Sequence, residues 1–195
     1  QAVDDPGQEF AYGNAMSQTL AIVIDRQARA MGFEGYQHFL ERKLWCPLGN
    51  TSAELWVDPS GMPRAYAGIH TGIYDWARIG EVIRNNGRVV GEQVIPELWI
   101  DEMTSPSAMN PNYGFHVWLG RTWEPERRYS RSSDITIVHS EPFDARANIF
   151  FDGFGGQREY VLPTHRLTIV RTGLINLKYD DARIPNLLAR AVEQQ

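Results

Sequence analysis

Apolar residues recur at two different spacings along this chain, and the spacing changes near Ser105. Upstream, the period is helical. Met16, Leu20, Val23, Ala28 and Met31 share one face of a helix through "SQTLAIVIDRQARAMG", with Asn14 as its N-cap and Gly32 as its stop. A second helix is predicted over Tyr36 to Trp45, with Tyr36, Leu40 and Leu44 on one side, ended by the Pro47 and Gly49 of "CPLGN". After a loop-rich stretch, Ile73, Trp76, Ile79 and Ile83 restore the helical period up to the Asn86-Gly87 turn, and "PELWIDEM" starts one short helix at Pro96.

Beyond Ser105 the runs become short, β-branched or aromatic, and are broken by Gly, Pro and Asp: "GFHVWLG", "ITIVHS", "NIFFDG", "REYVL" and "LTIVRTG". Their connections are too short for helical crossovers, so they read as an antiparallel meander. A last helix, "RIPNLLARAVEQQ", gathers Ile184, Leu187, Leu188, Ala191 and Val192 on a face expected to pack on the sheet. The texture is α+β, an antiparallel sheet flanked by helices, with a mainly helical region over 1–104 and strands plus a terminal helix over 105–195.

With 195 residues, 43% apolar and 22% charged, the chain suits one sizeable core. Its net charge of −5, without a Lys/Arg cluster, argues against nucleic acid. No apolar run approaches a membrane span. The lone Cys46 excludes an internal disulfide and a Cys-rich metal site, and reads as a small buried hydrophobe. The five histidines show no metal-ligand spacing, and Asp4-Asp5 and Asp180-Asp181 read as solvated turns. There is no HExxH, CxxC, GxSxG or phosphate-cradling Gly-Lys-Ser/Thr motif.

Two stretches remain. Tyr12-Gly13-Asn14 precedes the first helix, where Tyr12 is either packing or a proton carrier. Asp152 to Pro163, "DGFGGQREYVLP", is a Gly-dense turn entering a strand. Spacing alone favours a tight hairpin with a bulge there; the other reading is a turn whose backbone N–H groups face an oxyanion.

The ordered set of stretches resembles the serine β-lactamase-like hydrolases: class C β-lactamases, DD-peptidases, family VIII esterases and 6-aminohexanoate-dimer hydrolase. "PGQEFAYGNAMSQTLAIVID" is similar to the family's PG-x-x-F-x-Y-x-N and helix, "CPLGN" to its PLGM element with Asn50 in place of Met, and "DPSGMPRAYAGIHTGIYDWARIGEVIRNNGRVVGEQVIPELWIDEMTSP" to the stretch from D-x-x-G through D-L-A-R-F-G to the Trp helix. "YGFHVWLG" and "GFGGQREYVLPTHRLTIVRTG" resemble its last strands. The resemblance implies a β-lactamase/transpeptidase-like fold, no cofactor and no metal. It also implies Tyr12 as the base and acid that exchanges protons with a serine nucleophile, Asn14 as its support, and an oxyanion or substrate site around Phe151, Asp152, Gly153, Phe154, Gly155 and Gly156. The family's third motif, Lys/His/Trp-x-Gly, should fall between Asn148 and Asp152 and is not visible as such; without Lys-Thr-Gly the resemblance leans to an ester or linear amide substrate.

One family element is missing. The residues three positions before Lys43 and Lys178 are Leu40 and Ile175, so no Ser-x-x-Lys exists in this sequence. In the family that motif lies well upstream of the tyrosine, whereas only eleven residues precede Tyr12. The chain, which opens on Gln1, is therefore expected to be the C-terminal part of such a hydrolase, with its nucleophile in an upstream segment and a periplasmic or secreted location favoured by the resemblance. Leaving that segment out should expose the partner faces of "LTIVRT" and of the Leu187/Leu188 helix. The competing reading is a catalytically inactive domain used for binding or scaffolding.

Overall fold

A computed structural model describes residues 5, 7–130 and 133–194; Asp4 lies outside them. Helix α1 spans Asn14–Ala30. Its cap is Gly13 in an extended conformation, so Asn14 is the first helical residue and not the expected N-cap. At the other end Gly32 takes φ +88°, and the Gly32 and Phe33 N–H groups reach back to the Arg29 and Ala28 carbonyls, a Schellman closure that explains the glycine stop. Helix α2, Tyr36–Leu40, runs on into a wide π turn over Glu41–Trp45. Cys46, just beyond it, is exposed, contrary to the buried position expected of it.

The following loop holds a small ladder that periodicity could not reveal, β1 (Glu54–Leu55) with β2 (Ile69–His70). Helix α3, Ile73–Arg84, is followed by a minimal hairpin of β3 (Arg88–Val89) and β4 (Glu92–Gln93), then by α4, Glu97–Met103. Next come β5 (Trp118–Leu119), β6 (Glu126–Arg128), β7 (Thr136–Val138), β8 (Ile149–Gly153), β9 (Gln157–Leu162), β10 (Leu167–Arg171) and helix α5, Arg183–Glu193.

The central sheet is antiparallel in the order β10-β9-β8-β5. "ITIVHS" does not join it: β7 pairs with β6 in a separate hairpin, so the expected simple meander is interrupted. Because successive strand side chains alternate, the sheet carries a core on each face. Leu119, Ile149 and Val161 meet Val82 and Ile83 of α3 and Ile100 of α4 on one side. Trp118, Phe150, Tyr160, Leu162 and Ile169 meet Ala189 of α5 on the other. Helix α3 comes so close that a Cβ on Gly80 would clash with a Glu159 carboxylate oxygen, and that carboxylate accepts the Gly80 N–H at 2.8 Å.

The helix faces differ from the sequence expectation. In α5, Pro185, Asn186 and Ala189 point inward, while Leu187, Leu188 and Val192 are exposed. In α1 the buried residues are Ala21 and Ala28, and Met16, Leu20, Val23 and Met31 face out. The long apolar stripes of both helices lie on the outside.

Candidate active site

Tyr12 lies on the extended segment that enters α1. Its backbone N–H donates to the Tyr129 carbonyl at 2.7 Å, and Ala11 bridges to Ser130, so this segment lies alongside the end of β6. The ring is enclosed by three others, with centroids at 5.3 Å from Tyr129, 5.8 Å from Trp118 and 5.9 Å from Tyr113. Phe10 closes the cluster against Tyr113 and Trp118. Trp118 is 2% exposed and belongs to the core, yet Tyr12 keeps 39% exposure. The ring is walled by aromatics but not sealed from solvent.

Beneath the aromatic cluster is a buried set of charges. Arg127 of β6 donates to Asp152 at 2.6 Å and to Asp181 at 2.8 Å. Arg158 of β9 pairs with the same two carboxylates, at 2.6 Å and 2.7 Å, and His139 Nε2 lies 3.2 Å from Asp181. The Tyr129 hydroxyl donates to Asp152 at 2.6 Å. The Arg127 guanidinium also lies over the Trp118 ring, 3.9 Å from its centroid. Two arginines against two aspartates give a neutral cluster, which is what allows it to be buried. Although burial opposes ionisation, His139, Arg127 and Arg158 bring Asp181 down to about 2. The sequence expectation of Asp180-Asp181 as a solvated turn is thereby corrected: Asp181 is fully buried.

These charges reach the phenol. Burial pushes the Tyr12 pKa up, the negative charge of Asp152 adds to the rise, and Arg127 opposes both without prevailing. Within this chain the Tyr12 phenol is therefore protonated at neutral pH.

The other expected site residues fall in different places. Asn14 is exposed at the first turn of α1. Phe151 packs, partly buried, on the α3 side of the sheet. Asp152 is held in the charge cluster. The Gly153 carbonyl accepts from Arg158, and those of Gly155 and Gly156 accept from the Asn176 N–H and from Arg171. Gly155 and Gly156 take φ +73° and +85°, and side chains there would press on Ile175 and Tyr179. The glycines thus answer a tight turn under the 174–179 segment, and Phe154 projects into solvent. The Asp152 charge acts on the Tyr12 phenol and Tyr129 contacts both residues, while the rest of the turn lies against the segment before α5. Asn148, where the third motif was expected, is fully buried, and neither atom of its amide is hydrogen-bonded.

Sequence reading missed Arg127, Tyr129 and Arg158. The available signal was the alternation Arg127-x-Tyr129 in "PERRYS", which puts both on one face of a strand. Among the described residues no group of three or more His, Cys, Asp or Glu side chains converges as a metal set, and no helix is long and apolar enough to cross a membrane.

The Beta-lactamase family model matches residues 1–194. The chain belongs to the Beta-lactamase family. No curated protein matches it, but solved structures do. A proposed 6-aminohexanoate-dimer hydrolase from Bacillus anthracis is similar over 100% of this chain and 47% of its own, with a TM-score of 0.73 and 20% identity. A β-lactamase from Mycobacterium bovis is similar over 100% of this chain and 67% of its own, with a TM-score of 0.65 and 16% identity. Simvastatin synthase from Aspergillus terreus gives 99% and 54%, a TM-score of 0.57 and 15% identity. At these identities the likeness is one of fold. This member of the Beta-lactamase family spans about half the length of the first of these relatives.

Proposed function

We propose that this chain supplies Tyr12 to a serine hydrolase that cleaves an ester or amide through an acyl-enzyme, the Ser-x-x-Lys nucleophile being carried by a segment upstream. The reading rests on Tyr12. It falls in the stretch that resembles the family's PG-x-x-F-x-Y-x-N, and it is pinned through its backbone, walled by three aromatic rings and still partly exposed. In the forward step the tyrosine, as phenolate, takes the serine proton while the serine oxygen attacks the substrate carbonyl. It then passes that proton to the leaving alcohol or amine, and water completes the cycle by hydrolysing the acyl-enzyme. Burial and Asp152 hold the phenol protonated in this chain, and Arg127 is already paired, so the cation that ionises Tyr12 has to come from elsewhere. The lysine of Ser-x-x-Lys would supply it.

Two further features support an upstream partner. Strand β10 ends the central sheet with one side unpaired by any described strand, and the exposed apolar stripe of α5 follows it in the chain. Two of the structural relatives, the Bacillus anthracis and Aspergillus terreus proteins, carry roughly a second chain-length of sequence beyond the matched part.

A second reading, an inactive β-lactamase-like domain used for binding, is favoured by the same raised Tyr12 pKa, since among the described residues burial and Asp152 outweigh the pull of Arg127 and keep the phenol protonated. Hydrolysis of a p-nitrophenyl ester by the full-length protein separates the two. The catalytic reading expects Tyr12→Phe to lower turnover at least about a hundredfold. Turnover close to that of the unaltered protein removes Tyr12 from the mechanism.

A further inference from the structure

The β6–β7 hairpin shares no ladder with the central sheet, so what fixes its place matters to whatever leans on it. The hairpin is held by the Val138–Asp180 bridge from β7, and by side chains of Arg127 in β6 and of Tyr129 just after it. Arg127 reaches Asp152 of β8 and Asp181, and the Tyr129 hydroxyl reaches Asp152. At the far end of β6 the same Tyr129 holds Tyr12 twice, with its carbonyl on the Tyr12 N–H at 2.7 Å and its ring 5.3 Å from the phenol ring. Arg127 adds a second route, since it lies over Trp118, which Tyr12 also contacts. We infer that Arg127, Tyr129 and Asp152 are positioning residues for Tyr12, clamping the hairpin that carries its backbone and ring contacts.

The clamp deepens the proposed function, and its catalytic consequence rests on that reading; its structural content does not. A buried ion pair with hydrogen-bonded partners has few alternative arrangements, so it fixes geometry more than it adds stability. The charged or titratable groups that act on the Tyr12 phenol are Asp152 and Arg127, with Tyr113 and Tyr129 as neighbouring phenols. Loss of the clamp should therefore show both in how firmly Tyr12 is held and in where it ionises.

The test uses the full-length protein labelled with 13Cζ-tyrosine, Tyr12→Phe assigning the Tyr12 signal. Tyr129→Phe keeps the ring and the carbonyl and removes only the bond to Asp152. It should speed exchange of the Tyr12 amide by about tenfold while the Tyr160 and Val161 amides of β9 stay as they were. Asp152→Asn removes the negative charge and should lower the Tyr12 titration midpoint by about one unit. In ester hydrolysis, both changes should lower kcat with little change in KM, and Asp152→Asn should shift to lower pH the limb of the profile on which activity rises as the phenol ionises. Wild-type exchange and midpoint in both folded variants would overturn the clamp. Should Asp152→Asn fail to fold, the exchange rate in Tyr129→Phe decides alone. If the unaltered protein hydrolyses neither an ester nor an amide, the proposed function fails, while exchange and titration still decide the clamp.

Discussion

Helices α3 and α5 pack on opposite faces of one sheet, yet they meet it in different ways. Helix α3 turns Val82 and Ile83 inward and lets its backbone approach β9 at Gly80. Helix α5 turns in Pro185, Asn186 and Ala189 and leaves Leu187 54% and Leu188 40% exposed. A helix with its larger apolar residues inside is finished by one contact; a helix with small residues inside and leucines outside has a face for each of two neighbours. Helix α1 repeats the second pattern, with Ala21 and Ala28 inside and Met16, Leu20 and Val23 outside. On the α3 side Val82 and Ile83 are buried within this chain, although Leu98 and Trp99 of α4 stay exposed; the outward stripes of α1 and α5 are where an upstream segment of the proposed hydrolase would fit.

The largest effects should come from the closed interior. Asp181 is fully buried and bonded to Arg127, Arg158 and His139, so Asp181→Asn leaves two buried guanidiniums with one carboxylate between them. Removing one partner of such a set typically destabilises by about 3–5 kcal/mol, to be read from chemical denaturation. Because its folded pKa lies below the unfolded value, the stability tied to Asp181 is present above the ordinary carboxylate range and is lost as pH falls towards about 2. Leu162→Ala, on the apolar part of the same face, should cost about 2–5 kcal/mol.

A smaller effect, and one that distinguishes the α3 side, belongs to Glu159. Burial raises its pKa to about 8, against the pull of the Gly80 N–H and with some help from Glu81. Its folded pKa lies above the unfolded one, so its contribution is fully present below about 4.5 and is lost as pH climbs through about 8. Glu159→Gln should flatten the decline in Tm across that window and raise Tm by several degrees at its alkaline end. A slope equal to that of the unaltered protein would show that Glu159 is ionised in the fold throughout.

The same contrast explains what could be read from the sequence. Strands β8, β9 and β10 and helices α1, α3 and α5 were legible because each repeats its own period within a few residues. The π turn after α2, the β1–β2 ladder and the detached β6–β7 hairpin were not, because pairing partners leave no mark on local period. Asp181 shows the limit clearly. Its partners lie 23, 42 and 54 residues away in sequence, and nothing about "YDDAR" distinguishes a solvated turn from the centre of a buried cluster. Tyr12 was singled out by the order of motifs around it, whereas its aromatic walls and the charge of Asp152 come from segments about 100 residues or more downstream. The outward stripe of α5 was seen as an apolar face, but periodicity could not say that Ala189, and not Leu187, faces the sheet.

The smallest expected change is the one that tests the comparison most directly. Leu187 is more than half exposed, and a substitution at such a surface position is usually within about 0.5 kcal/mol of neutral. If the outer layer is covered in the full-length protein, the leucine is buried there, and Leu187→Ala should instead cost about 2 kcal/mol or more in the denaturation midpoint. The matching change on α3, Val82→Ala, is the internal control, since Val82 is buried by this chain alone and should cost the same with or without a neighbour. A near-neutral Leu187→Ala beside a costly Val82→Ala would mean that α5 keeps its leucines in water, and the upstream partner would lose its docking face. Two costly substitutions would place the second half of the fold against α5, on the side away from α3.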